Sequence, residues 1–365
     1  MSDLFPRHVF IQQARLKGHS EAYIQKTTAY IDKLTAQNLP VIFSLKHLAM
    51  ALNLSYGKLE KIIQRREEYY STFRIRKKHS QGFREIRAPF GELKRIQNWI
   101  NSNILSHVPL HEQCMSFRSG RSIKDNALIH QRQPVLLQTD FYRFYETISE
   151  QRVFGIFRSL GYHSNLAVDL AKLTTVQPTS AYEEVLNQDS YKPEGFIPVN
   201  TAFLPQGAPT SPAISNIIAR RLDFRINKLA RSLGIQYSRY ADDITLSGTM
   251  SALPSIELIE KIVKEEGFYL HPKKTHFRKS GKRQLVTGLT ITEGVHVPRK
   301  FKENIRQHLY YCKRLGPAIH MQNRGIQGKA AYKDWLLGNI CFIHSVEPEL
   351  GKKLFSLFAE IDWVL

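Results

Sequence analysis

Three aspartates in this chain can do chemistry together if the fold joins them. Asp140 closes the apolar run VLLQTD, and Asp242 and Asp243 lie side by side in YSRYADDITL. Successive residues on a strand point to opposite faces, so adjacent aspartates serve one site only where the alternation breaks, at a tight hairpin turn. The flanking Tyr237, Tyr240, Ile244 and Leu246 describe such a hairpin. Carboxylates gathered this way repel one another until a cation joins them. Mg2+ suits, because it prefers oxygen ligands and binds through one or two carboxylates plus substrate phosphates. Two such ions about 3.5–4 Å apart stabilise both the attacking and the leaving oxygen of an in-line phosphoryl displacement. An Asp-Asp pair alone is more often a polar turn, and a lone aspartate a helix cap, so the case rests on what surrounds them.

The elements that must position these residues read as a mixture. Pro134 to Asp140 is a short buried strand that delivers its aspartate at the C-terminal end, and Gly234 to Leu246 alternates as a hairpin. FRIRKKHSQGFREIRAP, from Phe73, is a basic hairpin turning at Ser80-Gln81-Gly82. Leu45, Leu48, Ala49 and Leu52 recur at helical spacing behind Ser44, a candidate cap. Further helices are predicted from Leu59 to Tyr70, Leu93 to Leu105, 150–175, Ala213 to Leu229 and Ile256 to Gly267. Residues 176–203, with prolines at 178, 193 and 198, read as a loop with short strands. Strands and helices mix without regular βαβ alternation, which argues for an α+β fold.

Composition narrows the partners. The 365 residues carry 52 Lys+Arg against 32 Asp+Glu, a formal charge of +20, with 42% hydrophobic residues. That balance is globular and excludes disorder. No apolar run approaches the roughly 20 residues of a membrane span, and the N-terminus lacks a signal-peptide core. Cys114, Cys312 and Cys341 show no paired spacing, which argues against a disulfide framework or a cysteine zinc site and suits a reducing compartment. A cytoplasmic protein that meets a polyanion, not a membrane, is expected.

With these residues in hand, the sequence resembles a family. Tyr240-Ala-Asp-Asp243 is similar to the YxDD box of reverse transcriptases, and Asp140 with DFYRFYETI to their first metal-binding box. Pro205 to Pro212, PQGAPTSP, followed by Ser215-Asn216, resembles their PQGxxxSP box, and the three stand in the family's order. Asn126-Ala-Leu-Ile-His130 and Val286-Thr-Gly288 resemble the NAxxH and VTG elements of bacterial retron reverse transcriptases. FSLKHLAMALNLSYGKLEKI and FREIRAPFGELK also look like that group, so the likeness runs from about residue 42 to 310.

The resemblance implies a right-hand polymerase fold. Residues 1–72 would be an N-terminal helical extension, 73–285 fingers and palm, and 286–365 the primer-grip region and an RNA-binding helical thumb. Asp140, Asp242 and Asp243 would be catalytic, and with the Phe141 carbonyl would hold two Mg2+ ions. Tyr145 would lie under the sugar of the incoming nucleotide and select deoxynucleotides. Gln206 and Gly207 would approach the incoming base pair, glycine permitting close backbone approach. Arg84 and one of Lys77 and Lys78, the latter preferred, would hold the triphosphate, for which the planar guanidinium is well suited. Lys274, or its neighbour Lys273, would meet the leaving pyrophosphate as general acid or as plain charge.

From Lys273 to Arg306 there are ten Lys/Arg against Glu293 and Glu303, where the family places primer grip and thumb. Arg299, Lys300, Lys302 and Arg306 are therefore expected on nucleic acid, with Val286, Thr287 and Gly288. Tyr310 and Tyr311 could stack on bases or pack in a core. Asn126 and His130 would recognise the cognate RNA. The implied activity is RNA-directed DNA synthesis on a structured noncoding RNA, primed from an internal guanosine 2′-hydroxyl. Its product is branched single-stranded DNA, used with an effector protein in antiphage defence. A defence- or intron-type enzyme with different priming, or a catalytically silent RNA-binding protein, stands as the alternative.

Overall fold

The computed structural model describes residues 5–76, 83–187, 192–328 and 330–363. Four helices come first: α1 (Arg7–Leu16), α2 (Glu21–Thr35), α3 (Leu45–Ala51) and α4 (Tyr56–Gln64). Ser20, Ser44 and Ser55 cap the last three by accepting the backbone N–H of Tyr23, His47 and Lys58. Each such cap contributes about 1 kcal/mol. The expected helix to Tyr70 ends early. Arg66–Tyr69 is a 3-10 turn, and Tyr70 opens a strand.

The basic hairpin forms, β1 (Tyr70–Arg76) against β2 (Phe83–Pro89), in register from Tyr70–Pro89 to Arg76–Phe83. Its turn, with Lys77, Lys78 and Ser80 to Gly82, lies outside the described residues. Next come α5 (Gly91–Asn103), α6 (Ile123–Ile129) and β3 (Val135–Asp140). Residues 150–175 form two helices, α7 (Glu150–Leu160) and α8 (Ser164–Thr174). Gly161, at φ 113°, caps α7 in the left-handed region and splits the pair. The supposed loop 176–203 holds α9 (Ser180–Asn187), and Phe203 bridges Val176 and Ser149.

Ala213 to Leu229 is likewise two helices, α10 (Ser211–Ile218) and α11 (Arg220–Ser232), turning at Ala219. Then follow β4 (Gln236–Tyr240), β5 (Asp243–Gly248), α12 (Ile256–Glu265), β6 (His276–Lys279), β7 (Leu285–Val286) and β8 (Leu289–Thr290). The last four helices are α13 (Arg299–Leu315), α14 (Pro317–Asn323), α15 (Tyr332–Val346) and α16 (Pro348–Ala359). Among the described residues, no helix is long and apolar enough to cross a membrane.

A four-stranded antiparallel sheet in the order β4-β5-β3-β6 forms the centre. One apolar core spans Tyr30 to Leu270, so Ile31, Leu34, Leu48 and Leu59 of the first helices share it with the sheet and with α7 and α8. Burying each such side chain stabilises by about 1.5–3 kcal/mol. A second core runs from Val286 to Ile361 and takes Ala127 of α6 and Leu136 of β3. The mixture of helices with a central antiparallel sheet is the α+β fold expected from the sequence.

Candidate active site

β3 and β5 pair so that Asp140 sits opposite Asp243, and β4 pairs with β5 so that Tyr240 faces Asp243. Ala241 and Asp242 are then the two turn residues of the hairpin. This is the break in alternation that lets neighbouring aspartates share a site. One carboxylate oxygen from each of Asp140, Asp242 and Asp243 lies within 4.8 Å of the others. The Phe141 N–H donates to Asp242 O at 3.0 Å and the His271 N–H to Asp140 O at 2.8 Å, which joins the strand ends behind the acids. The Phe141 ring stacks between Phe144 and Phe268 with centroids 5.1 Å away.

Crowding shapes the electrostatics. Burial, then repulsion from Asp140, holds Asp242 above the usual carboxylate range, while Lys274 and Arg84 pull it back. Desolvation, then repulsion from Asp242 and Asp140, raises Asp243 as well. Lys274 Nζ stands 2.7 Å from Asp140 Oδ2, so this lysine meets the acids directly. Three oxygen donors whose charges resist one another fit a hard divalent cation, which would relieve the repulsion.

The surrounding residues fall into place unevenly. Burial and the charge of Asp242 push the Tyr145 hydroxyl up to about 12, and its ring packs 5.5 Å from Phe144 beside the acids. Arg84 is exposed on β2 and feels Asp242. Gln206 O accepts the Arg87 N–H at 2.8 Å, docking β2 on the PQG loop. A Cβ on Gly207, at φ 111°, would meet Ile86 Cγ2 at 2.7 Å and Arg87 O at 3.3 Å. The close approach this glycine permits is therefore to β2. Arg87 is itself buried, bonded to Glu85, Gln177 O and Thr179.

Of four residues expected on RNA, three are buried in the protein and Lys302 is half-buried in an ion pair. His130 is 0% exposed, its ring nitrogens 2.7 Å from Ser247 Oγ and 2.8 Å from Ser238 Oγ. Burial drives its basicity down to about 3, so it is a neutral strut across β4 and β5. Asn126 is 1% exposed on α6, and Val286 belongs to the second core. Lys302 binds both oxygens of Glu347, at 3.0 and 2.9 Å, while that carboxylate also accepts the Val297 N–H. Thr287 (φ 47°) and Gly288 (φ 81°) make the two-residue turn joining β7 and β8, with two positive φ values as such hairpins prefer. Thr287 Oγ1 donates to Ile123 O at 3.0 Å, so the VTG turn rests on the helix that carries NAxxH.

Arg299, Lys300 and Arg306 are exposed on α13, Arg299 paired with Glu303. Tyr310 and Tyr311 are open to solvent, 55% and 39% exposed, and Tyr311 stacks on His320. A residue the sequence reading passed over is Arg239. It is fully buried between Tyr237 and Ala241 on one strand face and paired with Asp223 at 2.7 Å. The available signal was an arginine at the strand position that alternation puts on the same face as the buried Tyr237.

Comparison with known proteins adds the family. The reverse transcriptase (RNA-dependent DNA polymerase) family matches residues 75–296, which hold all three aspartates. The chain belongs to the reverse transcriptase family. It is 32% identical over 354 residues to retron Mx162 reverse transcriptase of Myxococcus xanthus, covering 91% of this chain and 70% of that one. With retron Ec86 reverse transcriptase of Escherichia coli the identity is 28% over 345 residues, 92% of this chain and 96% of that one. These matches bear out the resemblance to bacterial retron reverse transcriptases and an RNA-directed DNA polymerase activity.

Proposed function

We propose that this reverse transcriptase is the polymerase of a retron. It copies a cognate structured noncoding RNA from an internal guanosine 2′-hydroxyl and yields branched multicopy single-stranded DNA. We place the product in antiphage defence together with an effector protein, in the cytoplasm. The observation that carries the catalytic part is the meeting of Asp140, Asp242 and Asp243 within 4.8 Å at the end of a sheet. Likeness to named retron enzymes over about nine-tenths of the chain supports the retron part.

Asp140, Asp242 and Asp243, with the Phe141 carbonyl, are the groups that would hold two Mg2+ ions. Bound there, the ions supply charge neutralisation for the attacking and leaving oxygens. The protein's own residues do the rest. Arg84 and Lys78 draw in the deoxynucleoside triphosphate, and Tyr145 sits beneath its sugar. Gln206 and Gly207 frame the base pair where the PQG loop meets β2. Lys274, already ion-paired with Asp140, is placed to meet the leaving pyrophosphate. Arg299, Lys300 and Arg306 offer an exposed basic face on α13 to template and primer, while Asn126, His130, Val286 and Lys302 shape that region from inside.

We assign residues 1–72 to a helical extension, 73–285 to fingers and palm and 286–365 to the thumb; a second core built mostly from Val286 onward supports the last of these boundaries. The test is to sequence the nucleic acid that copurifies through a heparin wash, before and after debranching. A single discrete branched species is expected. Long unbranched DNA of random sequence would point to different priming. RNA alone, with no incorporation in primer extension, would point to a silent binding protein.

A further inference from the structure

The turn that presents Asp242 is built on an unfavourable residue. Ala241 sits at φ +56°, the left-handed region, at the first turn position, where two-residue hairpins usually carry glycine. Both of its backbone polar groups are held by buried side chains. The N–H donates to Ser116 Oγ at 2.7 Å, and the carbonyl accepts from Arg239 Nη1 at 2.9 Å.

Arg239 in turn is satisfied on every side. Nε donates to Asp223 Oδ1 at 2.7 Å, Nη2 to Asp223 Oδ2 at 2.7 Å and Cys114 Sγ at 3.3 Å, and Nη1 also to Asn216 Oδ1 at 2.9 Å. A guanidinium has five N–H donors, and all five are engaged here. Asp223 accepts a further bond from the Tyr237 hydroxyl at 2.7 Å, and Asn216 Nδ2 donates to Ser116 O at 2.9 Å. The loop is closed, since α10, α11, β4 and the 113–116 segment all converge on one backbone unit. Arg239, Asp223, Asn216 and Ser116 are all 0–1% exposed, so water offers no substitute partner.

We propose that Arg239, Asp223 and Ser116 are positioning residues that lock the Ala241 backbone in its left-handed conformation and thereby fix the Asp242 carboxylate for divalent-cation binding. This rests on the reading of the aspartate cluster as the metal site. None of the three touches the cluster's ligand oxygens; they act through the turn. Lysine cannot replace Arg239, because it has three donors on a flexible stem and no planar fork.

The test uses the full chain, freed of nucleic acid and metal, with Mn2+ binding followed by the loss of the free-ion electron paramagnetic resonance signal. Ser116→Ala and Arg239→Lys are expected to weaken Mn2+ binding about tenfold while helix content by circular dichroism is kept. Adding Ala241→Gly to Ser116→Ala is expected to recover part of that loss, because glycine adopts positive φ without steric cost. The Mg2+ concentration for half-maximal primer extension should move in the same order. Should Arg239→Lys not fold, the Ser116→Ala and Ala241→Gly pair carries the test. Wild-type Mn2+ affinity in the folded variants, or a loss that Ala241→Gly leaves untouched, overturns the proposal. If wild type binds no more Mn2+ than Asp242→Asn, the metal-site reading beneath it fails instead.

Discussion

Two of the antiparallel hairpins, β1–β2 and β4–β5, have opposite surroundings. In β4–β5, Tyr237, Ser238, Arg239, Ile244, Leu246 and Ser247 are at most 2% exposed, and side chains from α6, α10 and α11 hold it from several directions. In β1–β2, every β1 residue after Tyr70 is exposed, and Phe73, Ile75 and Phe83 stand in solvent. That hairpin is anchored at its base, by Arg87 on the PQG loop and by the Phe90 N–H on Tyr69 O. The ladders are alike; the tethers differ. A metal-binding turn must be held to within about half an ångström. A basic strand proposed to draw in phosphates would act across roughly 8–10 Å of electrolyte and tolerate looser support.

Substitutions should separate the two hairpins by what they disturb. Asp242→Asn should have the largest effect, cutting primer extension about a thousandfold, roughly 4 kcal/mol in the barrier, with the melting temperature in EDTA not lowered. Equal incorporation by both proteins removes the metal assignment.

Next comes the strut behind the catalytic hairpin. His130 is neutral in the fold, with its basicity lowered from 6.5 to about 3. The stability it contributes is therefore fully present above pH 6.5 and is lost as pH falls toward 3, because the unfolded chain takes up the proton first. Roughly 2 kcal/mol should disappear between pH 6.5 and 5. His130→Asn should unfold at lower urea at pH 7 by about 2–3 kcal/mol and show a flatter profile below pH 6.5. A profile parallel to wild type would place the titrating group elsewhere.

On the β1–β2 hairpin, Arg84→Ala should raise KM for deoxynucleotides about tenfold, near 1.4 kcal/mol, with weaker salt dependence and an unchanged melting temperature. A fall in melting temperature without a KM change would make Arg84 structural, like its neighbour Arg87. The smallest effect is expected from Asp243→Asn. At pH 9, above the value of about 8 to which burial and then Asp242 and Asp140 push this carboxyl, removing its charge should raise the melting temperature in EDTA by about 1–2 °C, and incorporation should be impaired. A lower melting temperature would mean that repulsion does not set the balance at the turn.

The chemistry was more legible in the sequence than the supports. Asp140, Asp242 and Asp243 are readable because an acidic pair at a strand break is a local pattern, and the structure unites them. Ser44 as a cap and the two hairpins follow equally local rules. His130 and Asn126 were misplaced because sequence cannot say which face of α6 is buried; the answer depends on Ser238 and Ser247, over a hundred residues away. The split at Gly161 was readable from the glycine, whereas nothing in Ala219 itself marks a turn between α10 and α11. Arg239 escaped notice for a related reason. Its meaning comes from Asp223, Asn216 and Cys114, partners that only the tertiary fold supplies.

The interlock of the first helices with the middle of the chain has a consequence for synthesis. Gln37 bonds to Leu160 O, 123 residues further on, and the Tyr162 hydroxyl donates back to Pro40 O. At about 5–20 residues per second, a ribosome needs roughly 7–28 s to deliver α7 and α8 after α2 has emerged. Throughout that interval the Gln37 amide and the Pro40 carbonyl lack these partners, so nascent-chain protection should fall on the end of α2 first and be released once α8 clears the exit tunnel.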